Sequence, residues 1–104
     1  MLCATFFHKQ NNLCGFDLCG HCGGEAGYDI VCAAVSSATY MTANTLTDVC
    51  GLSADITEQD GHLKLILSAQ DMKRGQDILK GFQLHLIALH EQYPNKIELN
   101  DMEV

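Results

Sequence analysis

The sequence predicts an α+β fold, a two-layer sandwich of about five strands and two helices in the order ββαββαβ. Three observations carry that expectation. Two pairs of alternating apolar segments are each joined across a polar turn; two long stretches show helical periodicity and end on helix-stopping residues; and a short alternating tail closes the chain. Strands with one apolar face need a cover, and two amphipathic helices supply it.

The opening MLCATFFHK alternates loosely, and after the polar turn Gln10-Asn11-Asn12 the run LCGFDLCG alternates again, with Cys14, Phe16 and Leu18 expected on one side. These two segments form a hairpin. From Asp29 the spacing becomes helical. Val31, Val35, Ala38, Thr42, Thr45 and Val49 recur about once per turn, and Gly51 stands in the C-cap position, which predicts a helix over about residues 30 to 50. ADITEQ and HLKLILS then flank Asp60-Gly61, a favoured pair for a tight turn, with Leu63, Leu65 and Leu67 facing inward. A second helix is expected from about Asp71, with Ile78, Phe82, Leu86, Leu89 and Tyr93 at helical spacing until Pro94 stops it. Gly75 and Gly81 weaken its start, each costing about 1 kcal/mol relative to Ala. In the tail KIELNDM, Ile97 and Leu99 alternate and predict a last strand.

With 104 residues the chain is expected to be a single domain over 1–104, large enough to bury roughly 60 to 68% of its unfolded surface without disulfides or metal. Hydrophobic residues make up 47% and charged residues 18%, a balance that argues against disorder. The segment MLCATFFHKQ has neither a basic start nor an extended apolar run, so no secretory leader or membrane span is expected, and the cytoplasm is the default location. A net charge of −7 with no basic stripe argues against direct nucleic-acid binding and favours a basic partner.

Six cysteines, at positions 3, 14, 19, 22, 32 and 50, could be a disulfide framework in a secreted protein. Without an export signal, those inside apolar segments are expected to be reduced and to pack as small hydrophobes. The motif Cys19-Gly20-His21-Cys22 suggests a thiol-disulfide oxidoreductase, whose first cysteine must open a helix so that the positive end of the helix dipole lowers its pKa. Here Gly23-Gly24-Glu25-Ala26-Gly27 follows, a loop rather than a first helical turn, and neither a tryptophan nor a second proline accompanies the motif. A zinc site on Cys14, Cys19, His21 and Cys22 is disfavoured because Cys14 and Cys19 are an odd number apart and, on a regular strand, face opposite ways. No cofactor and no metal are expected.

Cys32 has the placement that the CGHC cysteines lack. Asp29 is a good N-cap, which sets Ile30, Val31 and Cys32 in the first helical turn, where an anionic sulfur is favoured. His21 stands at the end of the second strand, and the glycine loop lets the chain turn back toward Cys32. His8, His62, His85 and His90 lie in apolar patterns with no evident partner and are read as structural or solvent-facing. From the residues alone, a buried Cys32 with an ordinary strand-end His21 stays open as well.

Gly20-His21, a short Gly/Glu-rich loop and then GYDIVCAAVSS from Gly27 to Ser37 resemble the ribosomal-processing cysteine proteases of bacteria, the Prp family, and the resemblance runs along the whole chain. It implies that His21 is the general base and Cys32 the nucleophile of a dyad that removes a short N-terminal extension from a large-subunit ribosomal protein, cutting after aromatic residues. It implies a homodimer and a two-layer α/β fold. Gly20, Asp29 and Ser36 are supporting positions: Asp29 as helix cap, Ser36 one turn beyond Cys32 on the same face. The family usually has alanine after the histidine, whereas Cys22 stands there here. A reversible Cys22–Cys32 disulfide is therefore a conceivable off-switch. An oxidoreductase using CGHC and a non-catalytic ribosome-associated module are the alternative functions.

Overall fold

The computed structural model describes residues 1–20 and 30–104. Strands β1 (Leu2–Lys9), β2 (Asn12–Gly20), β3 (Ala54–Gln59), β4 (His62–Leu67) and β5 (Ile97–Glu103) form one sheet in the order β3-β4-β2-β1-β5, with helices α1 (Ile30–Asn44) and α2 (Gln76–Gln92) between them in sequence. The order ββαββαβ is the expected one, and the sheet is mixed: β5 runs parallel to β1, pairing Leu2 with Ile97, while the other neighbours are antiparallel. Each hairpin returns the chain to its own end of the sheet, so each helix must cross the sheet to deliver the next strand in parallel.

One face of the sheet carries the core. Leu2, Ala4 and Phe6 of β1, Phe16 and Leu18 of β2, Leu63, Leu65 and Leu67 of β4 and Ile97 of β5 are buried against Val31, Val35, Leu79, Phe82 and Leu86 of the helices. The Phe82 ring stands edge-on to Phe16 at 4.8 Å and to Phe6 at 5.7 Å between centroids, the geometry that aromatic quadrupoles favour. Gln10 and Asn11, with φ of 52° and 68°, make the two-residue turn that joins β1 to β2.

Two expectations are corrected by local irregularities. The β1–β2 ladder pairs Phe7 with Gly15 but His8 with Leu13, so Cys14 is an extra residue, a bulge. Strict alternation fails there. Cys14 packs with Phe7, Ile66 and Met72 in a second, smaller apolar cluster, on the face away from Phe16 and Leu18. Cys14 and Cys19 thus lie on the same side of the sheet, not on opposite sides as their odd spacing implied.

The second irregularity ends α1. Thr45–Val49 form a wider π-helical turn, with the Cys50 N–H donating to Thr45 O at 2.9 Å. The extra residue in that turn rotates the chain, so Leu46 is fully buried while Val49, expected to face inward, is 78% exposed. Gly51 then takes a φ of 68°, the left-handed C-terminal position anticipated for it. A short 3-10 turn, Met72–Gly75, precedes α2, whose end is marked by the Tyr93 N–H donating to Leu89 O at 2.8 Å just before Pro94.

Candidate active site

β2 ends where α1 begins to cover the sheet, and the site is built at that junction. Gly20 is the last strand residue. It keeps its ladder bond, N–H to Gly61 O at 3.0 Å, while adopting a φ of 98° that other residues rarely take. A Cβ there would stand 2.4 Å from Met1 O. Only glycine fits this strand-end position, next to His21, which, with Cys22 and Asp29, lies outside the described residues. So does the stretch 23–28, on which the loop expectation rested.

Cys32 is the third residue of α1, half-buried, in the first turn, where the helix dipole favours an anion. Among the described residues it opens onto a cleft of about 220 Å³ with an apolar floor of Leu2, Leu18, Val35 and Leu63. Its rim carries Cys19, Gly20, Ser36, Tyr40, Gln59 and His62. Ser36 and Tyr40 follow Cys32 at intervals of four, so one helix face presents thiol, hydroxyl and phenol in sequence. The structure thus brings together Cys32, Gly20 and Ser36 of the expected site.

Two rim features, the partners of His62 and Tyr40, escaped the sequence. His62 bonds through Nε2 to Asp17 Oδ1 at 2.6 Å, and so has the partner it was thought to lack. His8 likewise bonds to Asp101 at 2.7 Å, and His90 Nδ1 to Ile97 O at 2.7 Å. The Asp17–His62 pair depends on the β2–β4 register, which sets Cys19 opposite His62 and Asp17 opposite Lys64 and is not visible along the chain. Tyr40 donates to Glu58 of β3, and that carboxylate raises the phenol pKa. Tyr40 had a signal, the repeat of four from Cys32. Cys19 is a strand residue, so it does not open a helix as an oxidoreductase nucleophile must. Cys14 has its pKa raised, chiefly by burial, and is suited to packing rather than to ligating or attacking.

A half-buried thiol at the first turn of a helix, above an apolar cleft at one end of a mixed sheet, defines the class: a thiol enzyme on a two-layer α+β scaffold. The chain belongs to the cysteine protease Prp family, whose model matches residues 1–98, and it is therefore a cysteine protease. The essential ribosomal processing protease Prp from S. aureus, in complex with a covalently linked product peptide, is similar with a TM-score of 0.90 and 25% identity. That alignment covers 98% of this chain and 100% of that one. A protein of Streptococcus mutans is similar over 100% of this chain and 96% of its own, at 31% identity and a TM-score of 0.78. The S. aureus protease with a substrate peptide shares the fold, with a TM-score of 0.86 and 24% identity over 98% of this chain and 100% of that one. No curated protein matches the chain.

Proposed function

We propose that residues 1–104 act as one cysteine protease domain that removes the N-terminal extension of a large-subunit ribosomal protein precursor, with Cys32 as nucleophile and His21 as general base. The observation that carries this reading is the position of Cys32, in the first turn of α1 at the mouth of an apolar cleft, with β2 delivering the chain to His21 through Gly20. His21 takes the Cys32 proton, the thiolate attacks the scissile carbonyl, and the imidazolium returns the proton to the departing amine. Water then releases the acyl group. In this reading Asp29 serves as the cap of α1, and Ser36, which lines the cleft, stands beside the substrate.

The relative from S. aureus supports the substrate assignment, being a ribosomal processing protease with a product peptide covalently attached. The net charge of −7 suits a basic precursor. The working form in this reading is a homodimer, as the family resemblance implies, located in the cytoplasm.

Incubation with the precursor and sequencing of the new N-terminus tests the whole proposal. Cys32→Ala and Cys32→Ser are expected to abolish cleavage in a folded protein. His21→Ala should leave little activity, since no base then takes the thiol proton. Cys22→Ala should retain most of it. Robust cleavage by folded Cys32→Ala, or loss with Cys22→Ala alone, would hand the chemistry to the CGHC motif.

A further inference from the structure

Cys3 and Cys19 stand directly opposite each other in the β1–β2 ladder. Their neighbours Leu2, Ala4 and Leu18 point into the core, so both thiols point to the other face of the sheet. The backbone bonds define the kind of pair. Leu2 N–H donates to Lys96 O, toward β5, and Gly20 N–H donates to Gly61 O, toward β4, each at 3.0 Å. One residue along from each, the polar groups of Cys3 and Cys19 turn toward one another. Opposed residues of this hydrogen-bonded type have Cα atoms about 5.5 Å apart, inside the window of about 4.4–6.8 Å that disulfides occupy.

The two sulfurs differ in surroundings. The Cys19 residue is exposed and borders the Cys32 cleft from the strand end, with its thiol on the outer face of the sheet, whereas Cys3 is half-buried and does not border the cleft. The Cys3 thiol donates to Glu98 Oε2 at 3.1 Å, and that hydrogen bond is the main cause of its raised pKa. Cys19 is therefore the sulfur that meets an oxidant first, and Cys3 the one that resolves it, with Glu98 placed to receive its proton.

We propose that Cys3 and Cys19 form a reversible cross-strand disulfide, a redox-dependent lock on the rim of the cleft. The oxidant is a low-molecular-weight disulfide, RSSR. The Cys19 thiolate attacks one sulfur, making a Cys19–SR bond and expelling RS⁻, which takes up the proton that Cys19 gave up. Cys3 passes its proton to Glu98 as its sulfur attacks the Cys19 sulfur. The second RS⁻ leaves and collects that proton. Two protein thiols are oxidised, and one RSSR is reduced to two RSH.

Opposed Cβ atoms on an antiparallel pair lie about 4.5–5.5 Å apart, while a disulfide holds them at about 3.5–4.5 Å. Closing the bond draws the end of β2 inward by roughly 1 Å, and the strain makes the bond easy to reduce. The residues displaced are Cys19 and Gly20, both on the cleft rim. A misplacement of about 1 Å at a reacting site can cost on the order of 10²-fold.

The lock, though not the disulfide, rests on the reading of this cleft as the cleavage site. The test uses Cys32→Ser protein, which removes the competing nucleophile. It is treated with oxidised glutathione, alkylated, digested and mapped by mass spectrometry, while affinity for the precursor peptide is measured before and after. We expect a Cys3–Cys19 linkage, an affinity loss of about ten-fold or more, equivalent to about 1.4 kcal/mol, and full recovery with dithiothreitol. Adding Cys3→Ser should stop the reaction at a mixed disulfide on Cys19. Linkage of Cys19 to Cys22, no linkage, or a Cys3–Cys19 linkage with unchanged affinity overturns the proposal. Absence of peptide binding by the reduced protein overturns the lock together with the reading of the cleft, whereas absence of the linkage with normal binding overturns the disulfide alone.

Discussion

α2 buries Leu79, Phe82 and Leu86, large side chains that fill the space above the centre of the sheet, whereas α1 buries only Val31, Val35, Thr39, Thr42 and Ala43. α1 also carries threonines that bond back to its own carbonyls, Thr39 to Val35 O at 2.6 Å and Thr42 to Ala38 O at 2.7 Å. Such bonds satisfy the buried hydroxyls but add little packing and tend to bend a helix. α2 is a packing element. α1 lies over the end of the sheet with small residues, and the volume it leaves unfilled is the cleft beside Cys32. A protein of this size can thus assign most of its cohesion to one helix and keep the other for the site.

The sharpest test of that division is truncation on α2. Phe82 is 3% exposed and touches both Phe6 and Phe16, so Phe82→Ala removes the ring that joins two strands to the helix. It is expected to cost about 3–5 kcal/mol, read as a lower urea midpoint. Cleavage per folded molecule should change little under conditions where the variant stays folded. A loss below about 1 kcal/mol would mean that α1 carries the packing after all.

A smaller effect is expected at Gly75, where α2 is approached. The sequence read this glycine as a weakness in the helix start, but it is buried where a Cβ would stand 2.5 Å from Leu67 Cδ1 and 3.2 Å from Leu46 Cδ2. Both leucines belong to the core, Leu46 on the π-turn that ends α1. Gly75→Ala should therefore destabilise by about 1–3 kcal/mol through overpacking, against the helix-propensity gain that the sequence alone suggests. Thermal melting of the variant decides the sign.

These positions show what the chain displays and what it conceals. Both hairpins, the end of α2, the left-handed turn at Gly51 and the inward leucines of β4 follow from local patterns, because alternation, helical spacing, Gly51 and Pro94 act within a few residues of themselves. The place of Cys32 in a first helical turn and of Ser36 one step of four along the same face was legible for the same reason. The bulge at Cys14 and the π-turn at Thr45–Val49 were not, since each inserts one residue into a repeat and is settled by packing on the far side. The Asp17–His62 pair joins residues 45 apart, and the Cys3–Cys19 opposition depends on strand register; neither leaves a periodic mark.

The smallest expected effect, opposite in sign, is at Gly81. It lies within α2 on an exposed turn, and a Cβ there would meet nothing within 4 Å. Glycine in a helix interior loses more backbone entropy on folding than alanine, and no contact here compensates for it. Gly81→Ala is expected to stabilise by about 0.5–1 kcal/mol, raising the melting temperature by a few degrees for a domain of this length. The two glycines of one helical segment should thus respond to the same substitution in opposite directions. The difference lies only in what surrounds them: two core leucines at Gly75, open space at Gly81. If Gly81→Ala destabilises instead, something occupies that space in solution. The surface to examine is then the groove of about 660 Å³ between α1 and α2, which Gly81 lines with Met41 and His85.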